Sequence, residues 1–143
     1  MTQRRRPRLQ ALEATSLPAA HARARDARRR HPVVGDHAAA VVADDLDLGS
    51  APGRADTLST LLRVAVLDEW VRGFARRHPG GTVVELGPGL GDRAGRLGDD
   101  GPAHWVDVEL PGVAELRREL LAGPAHLVAG SALDEDWLEL ARD

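Results

Sequence analysis

The chain has 143 residues, a formal net charge of -3, 43% hydrophobic and 29% charged residues, and no cysteine. That length suits one domain with a single core, and the charge balance gives no overall reason to expect nucleic acid or a membrane as partner. The missing cysteines remove disulfides, thiolate nucleophiles and cysteine-based zinc sites, and with aromatic residues at 3% the core must come from Leu, Val and Ala.

Residues 1–18, which begin "MTQRRRPRLQ", are basic and proline-bearing without periodicity and read as a mobile basic arm. Arg4, Arg5 and Arg6 have no aromatic neighbours to stack on bases, so no nucleic-acid partner is expected. The arginines followed by Ala20-His21-Ala22 mimic an export signal, but Glu13, Thr15, Ser16 and Pro18 stand where such a signal needs an apolar run. With no window near the roughly 18 apolar residues that span a bilayer, a cytoplasmic location is the default.

"AAHARARDARRR", residues 19–30, predicts a helix stopped by His31-Pro32, because proline disfavours helical geometry in the residue before it. A second helix runs from an N-cap at Asp36 to near Gly49, which makes 19–55 a helical segment ahead of any sheet. "GSAPGR", 49–54, is a linker. A long helix follows, capped by Asp56 or Thr57, with Leu58, Leu62, Val66, Trp70 and Phe74 recurring every four residues down one side, and it ends at His78-Pro79-Gly80-Gly81.

The period then changes. "TVVEL", "HWVDVEL" and "AHLVAG" read as strands, separated by the helical patterns "DRAGRL" and "GVAELRRELL", and "DEDWLELAR" closes the chain as a last helix. Three strands alternating with helices predict α/β architecture with a parallel sheet. None of the six histidines has a metal-ligand spacing backed by a third ligand, so no metal site is expected.

The first strand runs into "VVELGPGLGDR", residues 83–93. A strand that ends in Gly-x-Gly and hands over to a helix brings backbone N–H groups close to a ligand. The dinucleotide fingerprint Gly-x-Gly-x-x-Gly is met by Gly87 and Gly89, but its third position is Asp92, a carboxylate facing a pyrophosphate. The alternative Glu/Asp-x-Gly-x-Gly-x-Gly pattern is met in full by Glu85, Gly87, Gly89 and Gly91. It resembles motif I of class I methyltransferases that use S-adenosylmethionine. Glu85 then faces a sulfonium or ammonium cation; alternatively it is a strand-end carboxylate bonded to nearby N–H groups. At the end of the second strand Glu109, 22 positions after Gly87, is preferred over Asp107 as the acceptor of ribose hydroxyls, because it lies nearer the carboxyl end where ligands of open α/β sheets bind.

Taken together, "TSLPAAHARARDARR", "RVAVLDEWVRGFARRHPGGTVVELGPGLGDRAGRL", "WVDVELPGV" and "AGSALDEDWL" resemble, in order, the leucine carboxyl methyltransferase family and within it the bacterial polyketide O-methyltransferases of the tetracenomycin type. The resemblance implies a Rossmann-like class I methyltransferase fold and S-adenosylmethionine as cofactor. It implies that Arg63 pairs with the methionine carboxylate, that Gly87 and Gly89 lie against methionine and ribose, that Glu109 takes the ribose hydroxyls, and that Ser131 and Ala132 flank the adenine. The chain departs from the family at Gly91-Asp92, where Asp-Thr is usual, and lacks the four further strands that complete a seven-stranded sheet and bind the small-molecule acceptor. Residues 56–143 are thus expected to form the cofactor half of such a domain, its first strand left with a bare edge open to self-association or to a complementing chain. No catalytic base is assigned. A non-catalytic module that keeps the fold to bind a partner is the alternative, and a dinucleotide-binding domain is the third reading.

Overall fold

A computed structural model describes residues 4–140. A 3-10 turn, Glu13–Thr15, leads into α1 (Ser16–Ala27), followed by α2 (His37–Asp45), α3 (Arg54–Arg77), β1 (Thr82–Leu86), α4 (Arg93–Leu97), β2 (His104–Glu109), α5 (Pro111–Leu120), β3 (His126–Ala129) and α6 (Asp136–Leu140). The strands make one parallel sheet in the order β1-β2-β3, so the fold is α/β and Rossmann-like, as the alternation of elements predicts.

Several boundaries differ from expectation for local reasons. α1 begins at Ser16, not Ala19, because Pro18 falls in the first turn, where a helix has no partner for the N–H that proline lacks. α2 is capped as expected, Asp36 Oδ1 accepting the Ala39 N–H at 3.1 Å, but it stops at Asp45 because Leu46 turns extended and bridges Arg5. α3 starts at Arg54 behind Gly53, ahead of the expected caps. The continuation of the last helix to Arg142 lies outside the described residues, as do the first three residues of the expected arm.

From Arg5 onward that arm is docked, which the sequence reading did not anticipate. The Arg5 N–H donates to the Asp45 carbonyl at 3.0 Å and its own carbonyl accepts the Asp47 N–H at 2.8 Å. Its guanidinium meets Asp45 and Glu119 at 2.8 Å each. The carboxylates that hold it come from α2 and α5, far along the chain, so a local reading of charge could not see them.

Small residues let the helices approach closely. Ala20 and Ala24 of α1 pack with Ala39, Val42 and Ala43 of α2, and Leu46, Leu90, Val113 and Leu116 complete this core. Alternate strand residues serve opposite faces. Val83 and Trp105 pack with Val71 of α3 and with Ala94 and Leu97 of α4, whereas Val84, Val106, Val108 and Val128 turn the other way and meet Trp137 of α6.

The apolar stripe expected to bury α3 does not. Leu58, Leu62, Val66 and Trp70 are about half to two-thirds exposed, while Leu61, Val64, Asp68 and Ala75 are buried. A helix turns about 100° per residue, so every step of four advances the direction by about 40° and a run of such steps spirals off the core. The buried set steps by three, four and seven and keeps one heading. β1 is the outer strand of the sheet among the described residues, and its Leu86 is 50% exposed, whereas the register partner Val108 on β2 is 1% exposed.

Candidate cofactor-binding site

An open cleft of about 540 Å³ lies at the carboxyl ends of all three strands, where open α/β sheets bind ligands. Its floor is the turn after β1, and its sides come from the ends of β2 and β3, from α3, and from the residues that open α1. Arg63, Glu85, Gly87, Gly89, Glu109, Ser131 and Ala132, the seven residues singled out in the sequence, all line it. They come from five separate elements or turns, and the fold alone brings them together.

The glycines of the turn are there for different reasons. Gly87 has φ +66°, and nothing stands within 4 Å of where its Cβ would be, so the constraint is conformational and the surface toward the cleft is left open. Gly89, at φ +63°, lies against the Ser16 side chain, 3.3 Å from a Cβ position. Gly91 makes room for the buried Arg23 guanidinium, 3.1 Å from its Cβ position. Leu90 between them is fully buried and pins the turn to the core.

Glu109 is buried beneath the cleft, with Oε2 accepting the Gly89 N–H at 2.7 Å and Oε1 the Leu110 N–H at 2.8 Å. A carboxylate has about four acceptor positions, so two remain for hydroxyl donors. Asp107 lies behind the turn and does not line the cleft. It pairs with Arg117, whose Nη1 donates at 2.6 Å to the carbonyls of both Gly89 and Gly91. Burial pushes the Asp107 carboxyl up to about 6, against the opposing pull of Arg117.

Glu85 at the end of β1 is ion-paired with Arg93. Arg93 Nε also donates to Asp68 at 2.7 Å, and Arg96 donates to the same carboxylate at 2.9 and 3.0 Å. Arg23 approaches Asp36 at 3.1 Å, and Arg96 reaches that residue at 3.4 Å. Three acids and three arginines thus alternate beneath the cleft. Arg63 is exposed on α3, and Ser131 Oγ accepts the Leu133 N–H at 3.1 Å.

Asp92, where the dinucleotide fingerprint has glycine, is the N-cap of α4, its Oδ1 accepting the Gly95 N–H at 2.8 Å. The carboxylate occupies the helix end that a pyrophosphate would need.

The geometry agrees with the comparisons to known proteins. Over 137 residues the chain is 34% identical to the tetracenomycin polyketide synthesis O-methyltransferase of Streptomyces glaucescens, an alignment covering 92% of this chain and 51% of that enzyme. Over 144 aligned positions it is 33% identical to an S-adenosyl-L-methionine-dependent methyltransferase of Gibberella zeae, covering 88% and 48%. The chain is thus similar to two methyltransferases over most of its own length. It spans about half the length of the curated relatives it matches. No family model matches it, and no solved structure does.

The residues that sequence reasoning missed are supports around the cleft: Arg23 and Arg117 against the glycine turn, Arg93 on Glu85, and Glu13 on the start of α5. Arg117 stands 28 residues from Gly89 and Glu13 stands 99 from its partner Gly112, so no local pattern announces either. Among the described residues no group of three or more acidic or histidine side chains is placed to hold a metal ion, and no helix is long and apolar enough to cross a membrane.

Proposed function

We propose that the cleft binds S-adenosylmethionine and that the chain is the cofactor-binding half of an O-methyltransferase acting on a hydroxyl or carboxylate of a small molecule, a polyketide among the candidates. The observation that carries this is the convergence of all seven expected residues on one cleft. When bound, the cofactor supplies a methyl group on a sulfonium, transferable to an acceptor oxygen held in line with it.

The residues present suit that ligand. Glu109, fixed by two N–H groups, keeps acceptor positions for a ribose diol. Gly87 leaves backbone surface open to the methionine portion. Arg63 provides a guanidinium for the methionine carboxylate, while Glu85 adds acidic character on the side of a ligand cation. Ser131 and Ala132, just beyond β3, line the cleft where they would flank the adenine. A volume of about 540 Å³ falls within the range of small-molecule sites.

The acceptor side is assigned to a complementing polypeptide seated on the open edge of β1 and the exposed row of α3. Support comes from the relatives' doubled length and from the apolar residues left uncovered on that flank. The same flank favours a second reading, a non-catalytic module that binds a partner there.

Calorimetric titration of the purified chain with S-adenosylmethionine and with NAD separates the readings. Saturable heat with the first alone is expected, and Glu109→Ala should weaken it roughly 10- to 100-fold, the worth of a charge-assisted hydrogen bond. Silence with both leaves the partner-binding module. Binding of NAD alone overturns the proposal.

A further inference from the structure

The wall of the cleft that faces the strand ends is built by the first residues of the chain, among them Leu12, Thr15, Ser16 and Ala19. Besides the packing of Ser16 on Gly89 and of α1 on Leu90 and Val113, this wall is hydrogen-bonded to the start of α5 by one side chain. Glu13 is 9% exposed, and its carboxylate bridges two elements: Oε2 accepts the Gln10 N–H and Oε1 the Gly112 N–H, each at 2.8 Å.

The far partner sits at the start of α5. The first turn of a helix has N–H groups with no partner of their own and a positive end that favours an anion. Here the N-cap is Leu110, which has no side-chain acceptor, and Pro111 has no N–H. Gly112 is therefore the first residue of α5 with an N–H to offer, and Glu13 supplies the missing cap from 99 residues away. A Cβ on Gly112 would lie 2.6 Å from the Glu13 carboxylate, so glycine is what admits the contact. Two residues before Gly112, the Leu110 N–H is held by Glu109. The tie thus meets α5 directly beside the carboxylate proposed for the ribose, and two residues after Glu13 the chain reaches the Thr15 and Ser16 wall.

We propose that Glu13 is a positioning residue for the cofactor: by capping α5 it holds the N-terminal wall against the cleft and fixes the start of α5 behind Glu109. The proposal rests on the cofactor reading given above and names a residue which that reading does not use. Cofactor retention then depends on a side chain whose own hydrogen bonds go to protein backbone, and the dependence acts chiefly on the dissociation rate.

Four variants of the chain test this: Glu13→Ala, Glu13→Gln, Gly112→Ala and the Glu13→Ala/Gly112→Ala pair. In ligand-free protein, amide exchange at Gly112 and over residues 10–16 should accelerate roughly tenfold or more in Glu13→Ala, and over residues 10–16 in Gly112→Ala, about the loss of one charge-assisted bond. S-adenosylmethionine should dissociate faster by a similar factor in both. The pair should be no worse than either single variant, since each removes the same contact. Glu13→Gln keeps the shape of the side chain but offers one amide oxygen to two N–H groups, so it should fall between wild type and Glu13→Ala, whereas a role in packing alone predicts full recovery. Unchanged exchange at Gly112 in Glu13→Ala, or additive losses in the pair, overturns the proposal. If wild type binds no S-adenosylmethionine while the exchange pattern follows expectation, the cofactor reading fails and the tie between the elements stands.

Discussion

The two flanks of β1 are built from different chemistry. Toward β2 and the helices behind the turn the carboxylates are paired: Glu85 with Arg93, Asp68 with Arg93 and Arg96, Asp107 with Arg117 through one oxygen, Glu109 with two backbone N–H groups. By contrast, the outer edge of β1 is unpaired among the described residues, and on α3 the row Leu58, Leu62, Val66 and Trp70 meets solvent. α3 contributes to both, with Asp68 on its buried side and Trp70 on its exposed one. The difference separates a region whose polar groups are largely paired within the chain from one whose apolar groups are uncovered. The glycine turn is finished, held by hydrogen bonds from above and below, whereas the open flank has the look of an interface.

The largest expected effect comes from breaking the finished side. Asp68 is 4% exposed and accepts from Arg93 at 2.7 Å and from Arg96 at 2.9 and 3.0 Å. Asp68→Ala leaves two largely buried guanidinium groups short of an anion, a change that costs about 3 to 5 kcal/mol when such networks are truly dry. That is a large part of a domain's total stability of about 5 to 15 kcal/mol. The urea midpoint with an unchanged slope measures it. A loss under about 1 kcal/mol would mean that the network behaves as a solvated surface pair and that the contrast between the flanks is overdrawn.

A second, smaller effect sharpens the same side through pH. Burial raises the Asp107 carboxyl from 3.8 to about 6 in the folded chain. Between these values the native state holds the proton more tightly than the unfolded chain does. This group's contribution to stability is therefore complete below pH 3.8 and is lost as pH rises through about 6. Wild type should lose stability relative to Asp107→Asn across that window, read as the difference between two denaturation series. If wild type instead gains on the variant as pH rises, the Arg117 pairing outweighs the burial.

How much of this was legible in the sequence follows from the range of the interactions. Elements announced themselves where the signal is local: the β-branched run of β1, the Asp36 cap of α2 and the glycines after β1 all depend on residues within a few positions. Glu85, Gly87, Gly89 and Glu109 were readable because strand ends in a parallel sheet share one edge, so position along a strand implies position in space, whereas Arg63 on α3 and Ser131 and Ala132 were named only by the family resemblance. The supports were not. Arg117 reaches across to Gly89, Glu13 to Gly112, and Arg5 to Glu119, and in each pair both partners look like ordinary charged or small residues in their own neighbourhoods. The α3 stripe misled for a related reason: spacing reveals an apolar row but not whether the surface that covers it belongs to the same stretch of chain.

That row supplies the smallest expected effect on the isolated chain. Residues at i, i+4, i+8 and i+12 form one of the ridges by which helices interdigitate with neighbours, and here Leu62 is 51% and Trp70 69% exposed. Replacing both with serine removes little that is buried, so the stability of the monomer should move by no more than about 0.5 kcal/mol. Association should respond far more, because burying each such side chain at an interface is worth about 1.5 to 3 kcal/mol. Sedimentation of the wild-type chain, alone and mixed with a polypeptide corresponding to the second half of the tetracenomycin relative, is the comparison to make with Leu62→Ser/Trp70→Ser. A complex that forms with wild type and fails with the variant, at equal monomer stability, identifies the α3 row as the covered surface. A complex that forms equally well with both moves the contact to the bare edge of β1, where backbone pairing needs neither side chain. If the monomer itself unfolds when the two residues are changed, the row already does packing work inside this chain, and the division between its two flanks is drawn in the wrong place.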